Sequence, residues 1–259
     1  VAKSRVVSAE TVRRRDVIWI GIACAVILGL YYAGTPNFGR STDGQLYGVD
    51  YLQEWFGGIL VQRGQLAEHY DPDLAHLRQH DPSFMGFKWE GAHFFPMVYP
   101  PFYYALVSPL SCLPYRDASR GWAALMVLCY MLAAASIALF LARTHPSLGH
   151  RHALLVLPIG LLFPPVAESL VNNQKGTLCL LLFTATFLLL RSGREVLAGC
   201  AFGILFFKPQ LALPFALVML WKRRERFLAG CLITLVVLGI LAVSTGIESC
   251  QRYVEFIAD

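Results

Sequence analysis

Apolar runs separated by short polar breaks fill most of this chain. The first run, about Val17 to Gly34, matches the roughly 17 to 25 apolar residues that cross a bilayer core. Further runs cover Tyr99 to about Leu113, Gly121 to Ala142, a stretch from Ala153 broken at Pro158 and Pro164-Pro165, Thr177 to Leu190, Val196 to Phe207, Leu211 to Trp221, and Phe227 to Thr245. Helical segments of this length and spacing predict an all-α polytopic transmembrane bundle of about seven or eight spans. Several spans are short. Thr177 to Leu190 covers only about 21 Å at 1.5 Å per residue, against a core of about 30 Å. Irregular backbone at membrane depth survives only inside protein or beside a wet cavity. The breaks at Pro164-Pro165, Asn172-Asn173-Gln174-Lys175 and Lys208-Pro209-Gln210 therefore predict a polar cavity dipping into the bundle.

The chain divides into a basic N-terminus (1–16), a first span (17–34), a long polar loop (35–98) and a helical bundle (99–259). In the loop, Tyr51-Leu52, Trp55-Phe56 and Ile59-Leu60 recur at helical spacing. They predict an amphipathic helix lying on the membrane, weakened by Gly57-Gly58. A second short helix is expected from a cap at Asp71, with Pro72 in its first turn, to about His80.

Composition agrees with the pattern: 56% of the 259 residues are hydrophobic and 15% are charged, where a soluble domain carries about 25% charged residues. The net charge of +5 is a matter of topology rather than nucleic-acid affinity, because its cations cluster at span ends. Lys3, Arg5 and Arg13 to Arg15 precede the first span, and Lys222, Arg223, Arg224 and Arg226 follow a later one. Both clusters belong in the cytoplasm by the positive-inside rule. The loop carries eight acids against four bases and is expected outside. If Arg191 and Arg194 are inside, Asn172 to Lys175 and Lys208 are outside with it. That parity requires one re-entrant segment, for which Pro164-Pro165 is the candidate. The seven scattered cysteines form no C-x-x-C pair and read as apolar filler. No cleavage site follows the first span, so it is expected to stay.

Asp50 is the leading candidate for chemistry, a carboxylate beside aromatic rings where membrane meets water, with an ordinary solvated loop aspartate as the other reading. Lys208, between apolar runs, is costly at membrane depth and is either a phosphate-binding lysine or a lysine snorkelling from a short loop. Asn172 to Lys175 form a polar knot suited either to sugar hydroxyls or to a plain turn. His93 precedes Phe94-Phe95-Pro96 and is placed facing the cavity. Trp55, Trp89, Tyr99, Tyr103 and Tyr104 suit an interfacial belt or a surface for stacking on a sugar. His76 and His80 have a spacing that permits metal binding, but no further ligand pattern accompanies them, and solvated histidines with no metal are expected. No P-loop, G-x-S-x-G or H-E-x-x-H motif is present, and no cofactor is expected.

Several of these features stand in an order that resembles the membrane-embedded GT-C glycosyltransferases of family 87, the polyprenyl-phosphate-mannose-dependent mannosyltransferases. They are Asp50-Tyr51 after the first span, Gly64 to Tyr70-Asp71, Tyr99-Pro100-Pro101 with Pro109-Leu110, the Asn/Gln-rich break, Gly199 to Lys208-Pro209-Gln210, and the basic cluster at Trp221. The resemblance spans about residues 16 to 245 and implies a GT-C bundle. It also implies an inverting hexosyl transfer, with mannose the expected sugar, from a polyprenyl-phosphate donor to a lipid or glycan acceptor on the external face of the plasma (inner) membrane. By resemblance Asp50 is the catalytic base, Lys208 lies near the donor phosphate, and Gln174 and Tyr99 match the family's motifs. From their own positions in the chain, Asn173, His93 and Glu54 join them as substrate-site candidates, and Asp43 and Glu54 are the fallback bases. Where the family usually shows Gly-Gln-x-Asn, this chain reads Asn173-Gln174-Lys175-Gly176, and only Gln174 matches. Family members continue beyond the position of Asp259, so a short or truncated member is expected. A transporter or lipid-handling protein and an inactive truncated paralogue are the competing readings. The long acidic loop separates the enzyme from a transporter.

Overall fold

The computed structural model describes residues 14–33, 50–86 and 99–258, and the described residues are helical with no strand. In chain order the helices are α1 (Arg14–Ala33), α2 (Asp50–Gln62), α3 (Pro72–Gln79), α4 (Pro82–Met85), α5 (Pro101–Val107), α6 (Tyr115–Thr144), α7 (Gly149–Leu154), α8 (Val156–Leu161), α9 (Pro164–Val171), α10 (Gly176–Arg191), α11 (Glu195–Gly203), α12 (Pro209–Trp221), α13 (Glu225–Ser244) and α14 (Ile247–Ala258). Short 3₁₀ turns cover Leu66–Tyr70, Ser108–Cys112, Pro146–Leu148 and Ile204–Phe207. Arg15–Ala33, Tyr115–Thr144 and Glu225–Ser244 are each long and apolar enough to cross a membrane. Shorter apolar helices, Gly176–Arg191, Glu195–Phe207 and Pro209–Trp221, lie among them. The chain is an all-α membrane bundle.

Side-chain contacts sort the helix ends into two groups. Asp16 pairs with Arg151 at 3.6 Å near the start of α1. Tyr31 and Tyr32, near its end, donate to the carbonyls of Leu161 and Leu170. The broken chain α7–α8–α9 therefore runs alongside α1 and makes one pass, interrupted where Pro164 removes a backbone donor. Thr177 donates to the Met126 carbonyl at 2.8 Å, and Phe140 meets Phe187 at 5.2 Å, so α6 and α10 run in parallel.

The run from Tyr99 to Leu113 folds back on the loop elements. Tyr70 donates to the Tyr99 carbonyl at 2.9 Å, and Trp55 donates to the Leu113 carbonyl at 2.9 Å. Both ends of the segment thus return to the same loop elements. α5 with its 3₁₀ extension thus folds back, while the segment broken at Pro164-Pro165 continues alongside α1. Pro100, Pro101 and Pro109 account for this, since they break the segment before it can build a spanning helix. With that fold-back, Asp50, Lys175 and Lys208 fall at one end of the bundle and Arg143, Arg191 and Lys222 at the other.

Helix α2 also differs from expectation. It is not a surface helix with one wet face: Tyr51, Leu52, Glu54 to Leu60 are all buried. Gly57 and Gly58 are its contact points rather than its weakness. A Cβ at Gly57 would lie 2.3 Å from the Tyr104 ring, and one at Gly58 would lie 2.0 Å from Ser111 Oγ. The missing side chains let α2 sink between α5 and the Ser108–Cys112 turn. The second loop helix is as expected: Asp71 accepts from the amides of Asp73 and Leu74, and Pro72 stands in the first turn.

Candidate active site

Two acids on α2 and two polar residues on the α9–α10 turn form the centre of the site. Asp50 opens α2 and Glu54 follows one turn later, so both lie on one face. Gln174 Nε2 donates to Asp50 Oδ2 at 2.5 Å. Lys175 Nζ donates to Glu54 Oε1. The lysine and glutamate side chains are 3% and 1% exposed, while Asp50 and Gln174 are only half-buried. The ammonium also lies 4.0 Å from the centre of the Tyr99 ring and 5.4 Å from that of Tyr103. A desolvated cation over such rings gains about 2 kcal/mol. Glu54 Oε2 and the hydroxyls of Tyr51 and Tyr103 are buried without a hydrogen-bond partner.

Local backbone explains why the dipeptide reaches α2. The Gln174 amide donates back to the Ser169 carbonyl at 2.7 Å, closing a tight turn after α9. Asn173 sits in the left-handed region at φ 56°, a conformation that asparagine tolerates better than most residues. Its side-chain amide donates to Ser119 Oγ at 2.8 Å, and its carbonyl accepts from Trp122 Nε1 at 2.9 Å. Asn173 therefore anchors the turn to α6, and it is Gln174 and Lys175 that meet the acids of α2. The Tyr51 ring stacks on Trp122 at 5.0 Å, and Trp55 meets Tyr115 edge-on at 5.4 Å, which fixes α2 against α6.

Lys208 arrives from the far side. It ends the Ile204–Phe207 turn with non-helical backbone at φ −123°, ψ 78°, and Pro209 starts α12. The neighbouring Phe207 ring stacks on Tyr103 at 5.2 Å. Lys208 is half-buried and close enough to repel Lys175 electrostatically. The fold thus brings Asp50, Glu54, Gln174, Tyr99 and Lys208 to one place and turns Asn173 toward α6. His93 and Asp43 lie outside the described residues. His76 and His80 stack on each other at 4.3 Å, and among the described residues no three His, Cys, Asp or Glu side chains converge as metal ligands.

Sequence predicts Lys175 only as part of the polar knot and Tyr103 only as part of the aromatic belt or stacking surface, and assigns neither to the substrate site. The available signal was the pairing of two acids four apart with two adjacent residues, Gln174 and Lys175, of complementary chemistry. The chemistry assembled here is a hydrogen-bonded carboxylate beside two cations and an aromatic wall. That set can accept a proton and hold an anion.

The sequence profile of glycosyltransferase family 87 matches residues 97–259. The chain belongs to glycosyltransferase family 87. The match covers Tyr99, Gln174, Lys175 and Lys208 and begins after α2, so Asp50 and Glu54 lie outside the matched residues and meet them through the contacts described above. No curated protein and no solved structure matches the chain. As a family 87 protein with long apolar helices, it is an integral membrane glycosyltransferase.

Proposed function

We propose that this family 87 transferase moves a hexose, with mannose the expected sugar, from a polyprenyl-phosphate donor to a hydroxyl of a lipid or glycan acceptor, with inversion. The observation that supports it is the meeting of Asp50 with Gln174, Lys175 and Lys208 at one end of the bundle. The acceptor oxygen attacks the anomeric carbon as its proton passes to Asp50, and the C–O bond to the phosphate breaks. A positioned base contributes about 10²- to 10⁴-fold. The amide of Gln174 orients the Asp50 carboxylate. The leaving phosphate keeps the bonding pair, and its charge is met by Lys208. The Tyr99 ring offers a face to the sugar. Acidic loop and basic helix ends argue for an inside N-terminus and an external site in the plasma (inner) membrane.

The test is transfer in proteoliposomes with radiolabelled polyprenyl-phosphate-mannose, set against a labelled nucleotide sugar. Label should pass to acceptor from the lipid donor only. Transfer from the nucleotide sugar instead would contradict the donor class.

A further inference from the structure

Two turns at the other end of the bundle are built alike, 30 residues apart in sequence. In the first, the Gly193 amide donates to Leu190 and the Arg194 amide to Leu189; in the second, the Arg223 amide donates to Leu220 and the Arg224 amide to Met219. Each is followed at once by a helix opening on glutamate, Glu195 in α11 and Glu225 in α13. Both turns need one residue in the left-handed region. The first uses Gly193 at φ 75°, and the second uses Arg223 at φ 52°. Glycine adopts this conformation freely, whereas an L side chain is strained there. A strained arginine where the twin turn has glycine suggests a task for the side chain.

The two turns are joined by Arg224, which donates to Glu195 at 2.7 Å. Between them lies an open groove lined by Gly193, Glu195 and Lys222 to Arg226. With Arg224 engaged by Glu195, Lys222, Arg223 and Arg226 have no carboxylate partner among the described residues. The apolar surface of α12 leads straight into this groove: Leu217 is 62% exposed and Trp221 82%. Tryptophan at a span end marks headgroup level.

We infer that this groove binds the phosphodiester headgroup of an anionic phospholipid, with Arg223 as a direct contact and the acyl chains lying along α12. The continuity of the groove with an exposed apolar helix favours a lipid over free phosphate. The site is separate from the proposed transfer centre and stands independently of that chemistry.

The purified full chain in neutral detergent is melted with short-chain phosphatidylglycerol, short-chain phosphatidylcholine or inorganic phosphate. A saturable rise in melting temperature is expected with phosphatidylglycerol alone. Arg223→Gly should melt at or above the wild-type temperature without lipid, because glycine relieves the strained φ. It should also need about fivefold more phosphatidylglycerol for half its effect, as loss of one cation near a headgroup implies. Arg226→Gln should weaken the response without changing the lipid-free melt. An equal response to phosphatidylcholine or to inorganic phosphate overturns the inference, as does an Arg223→Gly protein whose phosphatidylglycerol response is undiminished.

Discussion

At the residue scale, the Glu54–Lys175 pair carries the sharpest consequences. Removing one partner of a buried ion pair strands the other charge, at a cost of about 3–5 kcal/mol. Lys175→Met should therefore melt well below the wild type. The double variant Glu54→Gln/Lys175→Met should recover most of that loss while remaining poor in donor use, which thermal melts and transfer rates can separate. His69 offers a pH test in the loop elements. It is 2% exposed, and burial holds its imidazole well below the ordinary histidine range. The unfolded chain takes up a proton near pH 6.5 while the folded chain does not, so stability should fall as pH drops below about 6.5, by about 1.4 kcal/mol per pH unit. Melting curves of His69→Phe should lack that component. Asp50, Glu54, Gln174 and Lys208 were legible as polar residues in apolar or aromatic surroundings. Lys175 was legible only as one member of a polar knot, because its partner lies 121 residues away. No local pattern encodes a contact at that separation.

At the element scale, the closest packing is between α11 and α13, and glycines make it possible. A Cβ at Gly199 would lie 1.9 Å from the Phe227 carbonyl, and one at Gly230 would lie 2.0 Å from the Val196 carbonyl. Gly199 and Gly203 present the small-xxx-small spacing that lets membrane helices approach. Gly199→Leu should cost at least the 1–3 kcal/mol or so of an overpacked core. Gly239→Ala on α13, where a Cβ meets nothing within 4 Å, should instead stabilise by about 0.4–1 kcal/mol. Opposite shifts in melting temperature check both. The long helices were readable from apolar run length alone. The burial of α2 was not, because amphipathic spacing reports a polar face without saying whether water or protein covers it. For α2 the partner of that face is the pair Gln174 and Lys175.

At the scale of the whole molecule, the passes of α1, α6, the α7–α9 chain and α10 to α13 carry polar groups to two opposite ends. One end gathers Asp50, Glu54, Gln174, Lys175 and Lys208, and the other gathers the basic turns around Arg194 and Arg224. Charge asymmetry between the loops groups Lys175 with Lys208 and apart from Arg194, as the contacts do. Prolines break a continuing helix and a returning one in the same way, so the fold-back of the Tyr99–Leu113 run was not legible from them. The proposed transfer from a polyprenyl-phosphate donor turns on Asp50 acting as the base. Its most direct test compares wild type with Asp50→Asn in proteoliposomes, following both donor binding and label transfer. Asn preserves the shape of the side chain beside Gln174, so donor binding and melting temperature should be unchanged, with transfer reduced by at least about 10²-fold. Transfer by Asp50→Asn at the wild-type rate would contradict it.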